Sequence, residues 1–164
     1  MKNKIVYIFF ISLLITCSFG CGNKNITKVA VAGPRVVCTM SEVLDGIPTD
    51  TTIVTKFDEN NYINYRVTET VQTFEDVETY RQYANELKSS NNENEDMEEY
   101  YELDEDNKKI TVTLVYKESM FDYSDIDPYI KEDYLASHVI YELEDDGAEC
   151  KYLNVNKADL GINK

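Results

Sequence analysis

The run Ile5–Ile15 decides where this chain folds. It is apolar except for Ser12 and follows the positive charges of Lys2 and Lys4, which is the layout of a secretory signal. A bilayer span needs about 20 apolar residues, and this run stops well short, so export with removal of the segment is expected rather than a retained membrane helix. The small residues Ser18, Gly20 and Cys21 follow it, suited to a peptidase cleft. A chain exported before it folds meets an oxidising compartment. Its four cysteines, Cys17, Cys21, Cys38 and Cys150, therefore become the next constraint.

The junction Ser18-Phe19-Gly20-Cys21-Gly22 resembles the lipobox of bacterial lipoproteins, in which a small residue precedes a cysteine that is acylated on sulfur and becomes the new amino terminus. The Leu usual three positions before that cysteine is here Ser18. Leu14-Ile15-Thr16-Cys17 supplies the Leu but sets Thr ahead of its cysteine. Cysteine arithmetic separates the two junctions. Cleavage before Cys21 discards Cys17 and leaves Cys38 and Cys150 to pair, whereas cleavage before Cys17 strands an odd thiol at Cys21. The expected organisation is a signal peptide over 1–20, a lipidated Cys21 with a flexible tether over 21–34, a domain over 35–153 and a tail over 154–164. One acyl chain holds a protein marginally and two hold it stably, and a tether of this length reaches about 20 Å.

The chain carries 31 acidic and 16 basic residues, a formal charge of −15, and loss of residues 1–20 removes two lysines and no acid. Nucleic acid is excluded as a partner, because phosphate binding needs clustered Lys and Arg. The same charge keeps the domain off anionic headgroups, so the covalent lipid rather than the surface must provide the membrane attachment.

Hydrophobic period predicts the elements. Arg35 to Met40, Thr51 to Phe57 and Tyr62 to Thr73 are rich in β-branched and aromatic residues and read as strands, the last two separated by the turn Asp58-Glu59-Asn60-Asn61. Thr73 is placed to cap a helix whose stripe is Val77, Tyr80, Ala84 and Leu87. Ser89 to Glu99 reads as an exposed loop. A second hairpin follows, Glu99 to Leu103 and Lys109 to Tyr116, with Ile110, Val112, Leu114 and Tyr116 on one face. A final helix is expected from Asp127-Pro128 to Gly147, with a break near Asp133. The order β-β-β-α-β-β-α predicts an α+β domain, an antiparallel sheet of about five strands with two helices packed on one face. A Cys38–Cys150 bridge would staple the two ends of that domain and stabilise it by about 4–5 kcal/mol in the chain-entropy picture.

This layout of lipobox, first-strand cysteine, long strand pair, helix, second hairpin, helix and terminal Gly147-Ala148-Glu149-Cys150-Lys151 is similar to small lipoproteins of Gram-positive bacteria and their wall-less relatives, and more distantly to the YehR-like lipoproteins. The resemblance implies a membrane-anchored, extracytoplasmic module and carries over no catalytic residues.

The motifs of common chemistries are missing. Asp104-Glu105-Asp106-Asn107-Lys108 alternates acids, but an EF-hand needs Gly at the sixth position and Glu at the twelfth, where Lys109 and Val115 stand. Looser calcium sites could draw on Asn92, Asn94 and Asp96, or better on Asp122, Asp125 and Asp127; solvated loop acids are the plainer account of both groups. His138 alone cannot build a zinc site, and no Cys-x-x-Cys, Gly-x-Ser-x-Gly, phosphate loop or dinucleotide fingerprint occurs. No cofactor is expected. With 13 Tyr and no Trp, tyrosine is the notable aromatic. Tyr65, Tyr80, Tyr83, Tyr134 and Tyr141 are expected as half-buried core, and Tyr100, Tyr101, Tyr116 and Tyr123 as an exposed patch for sugar or peptide. The expected function is a non-enzymatic binding or envelope-associated module with a protein or glycan partner. The alternative is a carboxylate-based hydrolase of cell-wall or surface glycan, which needs only two acids about 5–9 Å apart.

Overall fold

Alternating β-branched residues build the strands, and short turns fix how they pair. In chain order the elements are β1 (Arg35–Leu44), β2 (Ile47–Phe57), β3 (Ile63–Thr73), α1 (Val77–Ser89), β4 (Met97–Asp104), β5 (Lys109–Tyr116), α2 (Pro128–Lys131), α3 (Ala136–Asp145) and β6 (Glu149–Leu153). The computed structural model describes residues 32–89, 95–123 and 127–162. All pairings are antiparallel, in the order β4-β5-β3-β2-β1-β6. The α+β class and the covered sheet agree with the sequence, but the strands among the described residues number six rather than five.

The additional strand is β6. Gly147 takes a positive φ of 94°, the Ala148 N–H donates to the Leu143 carbonyl, and the chain turns back from α3 to lie along β1. Glycine adopts that backbone without the cost a side chain would impose. Residues 154–162, expected as part of a tail outside the domain, fold against it: Leu160 is 5% exposed and packs with Val36 and Ile140, with Val155 and Ile162 beside them.

Asp45-Gly46 forms the β1–β2 turn with positive φ at both residues, the backbone of a two-residue hairpin loop that Asp-Gly favours. This turn extends both strands beyond their expected ends, to the Leu44–Ile47 pair. The helix cap is Asp76 rather than Thr73: one oxygen of its carboxylate accepts the N–H groups of Glu78 and Thr79. Those bonds, led by Thr79, hold the Asp76 carboxyl below its usual range. The final helix breaks as anticipated, into α2, a 3-10 turn over Glu132–Tyr134 and α3.

The register puts Val36, Cys38, Ile47, Ile53, Thr55, Thr68 and Ile110 on one face of the sheet. There α3 packs on Val36 and Cys38, and α1 on Ile47 and Ile110. On the other face a cross-strand row, Lys151-Val37-Val54-Val67-Val115-Glu98, runs from edge to edge. Cys38 and Cys150 are directly opposed on β1 and β6, with Cα atoms 4.0 Å apart, and are joined by a disulfide across 112 residues of sequence. The expected bridge is present.

Candidate functional site

β3 departs from the usual pattern of a half-covered strand. Its apolar residues Val67 and Val71 point to the open face, and the face turned toward the helices reads Arg66, Thr68, Thr70 and Gln72. At the Arg66 level the row across the sheet is Tyr152-Val36-Thr55-Arg66-Tyr116-Met97; at Thr68 it is Cys150-Cys38-Ile53-Thr68-Leu114-Glu99. The Arg66 corner thus lies on the same rungs as the disulfide, two strands away. Neither apolar cluster includes Arg66, Thr68 or Tyr116.

Aromatic residues converge on this corner instead. Tyr123 is their hub: its hydroxyl donates to the Ile63 carbonyl, and its ring centroid lies 5.5 Å from that of Tyr62, 5.1 Å from Tyr134 and 6.5 Å from Phe121. The hydrogen bond from the Ala136 N–H to the Asn61 carbonyl and the bridge between Tyr62 and Leu135 tie the segment before α3 to the start of β3. Lys131, half-buried at the end of α2, places its Nζ 4.8 Å from the Tyr62 ring centroid and 6.0 Å from that of Tyr123. Contacts of this kind attract a cation to the ring face.

The electrostatics follow from burial. Tyr116, Tyr123 and Tyr134 all act on the Arg66 guanidinium; desolvation lowers its pKa, yet arginine stays charged at any physiological pH. Burial pushes the Tyr123 phenol well above its usual range, with Tyr134 and then Asp58 adding to the rise while Arg66 opposes it. Burial also raises Tyr116, against the pull of Arg66 and together with Glu99. These two phenols therefore remain neutral hydrogen-bonding groups at neutral pH. Beside Arg66, Thr68 is 6% exposed, and its Oγ1, like the buried Oδ1 of Asn64, has no hydrogen-bond partner among the described residues. A buried polar atom left this way costs about 1–3 kcal/mol.

The tyrosines expected to share one patch are divided. Tyr116 and Tyr123 meet at Arg66, and Tyr101 lies on the same face of the sheet beside Val112. Tyr100 is on the open face, where its hydroxyl donates to Glu98. Of those expected in the core, Tyr80 is buried and Tyr83 packs on Phe74. Tyr134 belongs to the Arg66 corner, Tyr65 sits on the open face, and Tyr141 is 57% exposed. Period in the sequence separates inner from outer positions, but it does not tell which strands will meet.

The acids form no centre among the described residues, where no three His, Cys, Asp or Glu side chains are grouped to hold a metal. Asp122 and Asp127 are exposed, flanking Asp125, which lies outside the described residues, as do Asn92, Asn94, Cys17 and Cys21. Asp96 accepts from the Ser119 hydroxyl at 2.8 Å. His138 sits on the surface with its Nε2 3.3 Å from Glu142 and 3.6 Å from Asp133.

A shallow cleft of about 160 Å³, lined by Arg35, Phe57, Asp58, Asn61, Asp159 and Leu160 among others, holds two carboxylates. Both support local turns: Asp58 accepts the N–H groups of Asn60 and Tyr62, and Asp159 caps Asn156 in a reciprocal capping box. No family model, no curated protein and no solved structure matches the chain.

Proposed function

We propose that this protein is a lipoprotein held at the extracytoplasmic face of the cell membrane by a lipid on Cys21, and that its domain is a non-enzymatic binding module. The Arg66 corner carries the binding half of this reading. A strand that turns its polar residues toward the covered side, and surrounds its arginine with tyrosines, gives up apolar burial at one spot. Departures of this kind from the folding pattern concentrate at functional sites. The Cys38–Cys150 bridge supports the export half, since such bonds persist where thiols are oxidised.

The rival reading, a carboxylate-based hydrolase of wall or surface glycan, has less support. Its general acid needs an unencumbered carboxyl with a raised pKa, and the two acids of the cleft are already engaged in turn and cap hydrogen bonds.

Capture from intact cells tests the proposal. The protein, cross-linked on live cells and compared with an unrelated lipid-anchored control, should recover a surface protein or glycan, and an Arg66→Ala, Tyr123→Ala variant that still folds should lose it. Recovery no better than the control, or wall glycan cleaved by the purified protein, would overturn it. Intact mass from native membranes checks the anchor, with diacylglycerol expected on a chain beginning at Cys21.

A further inference from the structure

We infer that one corner of the open sheet face, formed by Arg35, Lys56 and Lys151, rests on the headgroups of an anionic bilayer and turns the helix-covered face outward. This rests on the lipid-anchor reading above and adds the class of lipid and the orientation of the domain.

Register sorts the charges of the open face by distance from the tether. On the first rung Arg35 stands opposite Leu153, with Lys56 and Tyr65 paired beside them; on the second, Lys151 begins the row of four valines. The acid on these rungs, Glu98, closes that row five strands away, roughly 24 Å from Lys151 between backbones, and pairs with Lys117 at 3.2 Å. Beyond them the sign reverses: the third rung carries Glu149 and Glu69, the fourth Asp50 and Glu102. One face thus runs from basic beside the tether to acidic away from it.

None of the three cations is in an ion pair among the described residues. The Arg35 guanidinium donates to the Gly33 carbonyl at 2.9 Å, the Lys56 Nζ lies 5.6 Å from the Tyr65 ring centroid, and Lys151 is exposed. Asp58 and Asp159, which line the cleft with Arg35, are engaged in turn and cap hydrogen bonds. Leu153, 37% exposed, sets an apolar side chain beside Arg35.

Position makes the bilayer the occupant. Arg35 follows directly on the tether, and residues 22–34 add Lys24 and Lys28 and no acid. The tether's reach of about 20 Å is shorter than the span of roughly 36 Å of an 11-residue strand, so the tethered end of the domain is the end presented to the membrane. Net charge keeps an unanchored domain off such a surface, but the anchor imposes a high local concentration, and the corner then only selects an orientation. Each basic side chain at an anionic surface favours contact roughly fivefold. The acids of the fourth rung lie roughly 13 Å along the strands from the second, beyond the Debye length of about 8 Å in physiological salt.

The test uses the lipidated, oxidised protein reconstituted in vesicles of phosphatidylcholine, with or without phosphatidylglycerol. Acetylation by a water-soluble reagent is followed by mass spectrometry at Lys56, Lys151 and Lys109, the last exposed at the far end of the same face. The anionic lipid should slow Lys56 and Lys151 at least roughly threefold and leave Lys109 unchanged. The effect should vanish in about 1 M salt. In an Arg35→Gln, Lys56→Gln variant, Lys151 should return to within about twofold of its rate on neutral vesicles; the salt series decides if that variant does not fold. Equal slowing of all three lysines, no difference between the vesicles, or slowing that survives salt or substitution overturns the orientation and leaves the anchor standing. Protein that does not stay on the neutral vesicles overturns both. Protection on intact cells with none on anionic vesicles assigns the corner to another polyanion and overturns the lipid.

Discussion

Two apolar clusters share the helix-covered face and are assembled in different ways. One joins Val36 and Cys38 to Ala136, Ile140, Ala148 and Leu160, bringing together the first strand and the last quarter of the chain. The other is drawn from Ile47, Phe74, Tyr80, Ala84 and Ile110, a shorter and more central stretch. Small side chains dominate the fully buried part of the first, and its larger ones, Phe57 and Tyr152 among them, are only partly buried. The second is built around packed aromatic rings, with Phe74 6.0 Å from Tyr80 and 5.2 Å from Tyr83 between centroids. Closing a long loop costs more entropy than closing a short one, though only logarithmically. The cluster with the longer closure and the smaller residues is the one that carries the disulfide, and covalent linkage supplies what its packing does not.

Removing the bridge should have the largest effect. A Cys38→Ser, Cys150→Ser protein should lose about 4 kcal/mol of stability, measured by urea unfolding. Hydrogen exchange should accelerate first in β1, β6 and α3 while α1 and β5 stay protected. Uniform acceleration would mean that the two clusters unfold as one unit and that the contrast between them is only geometric. Next in size, Ile110→Ala in the oxidised protein should cost about 3 kcal/mol, since Ile110 is 0% exposed and its loss leaves a cavity. Combined with the serine pair, its cost should add to within about 0.5 kcal/mol if the clusters are independent. A larger coupling would join them.

The smallest effect belongs to the Arg66 corner. Tyr123 and Tyr116 have folded-state pKa values raised above the ordinary tyrosine value of about 10. Below that value both states keep the proton and the contribution is complete. As pH rises from there toward the folded values, the unfolded chain ionises first and stability falls. Urea midpoints should therefore be insensitive to these groups near neutrality and decline above about pH 10, with a shallower decline in Tyr123→Phe. An unchanged slope in that variant would assign the alkaline loss to other tyrosines.

Much of the fold was legible because it depends on local pattern. β5, with Ile110, Val112, Leu114 and Tyr116 on one face, has the expected bounds, and α1 contains its expected stripe. β6 was obscured by its length: Glu-Cys-Lys-Tyr-Leu is too short to display period, and its partner strand lies at the other end of the domain. Thr73 looked like a cap, but it ends β3, and the cap falls on Asp76, where the chain leaves the sheet after Phe74. The Arg66 corner was the least legible. It joins positions 66, 116, 123 and 134, and only the β3–β5 register sets Arg66 opposite Tyr116. One signal was present in the sequence all the same: Val67 and Val71 alternate with polar neighbours, so whichever face takes the valines leaves Arg66 and Thr68 on the other.

The Cys38–Cys150 bond also has a mechanical consequence. A pull on the segment preceding Arg35 is delivered into β1, which is flanked by β2 on one side and β6 on the other. Tension along a strand paired on both sides loads its hydrogen bonds in parallel, as shear, rather than one after another as in a zipper. Three residues past Arg35 the load reaches Cys38, where a covalent bond passes it across to β6. Beyond that point the bond itself would bear the strain, and the strands that present Arg66 would stay in register while the domain is tugged at its surface.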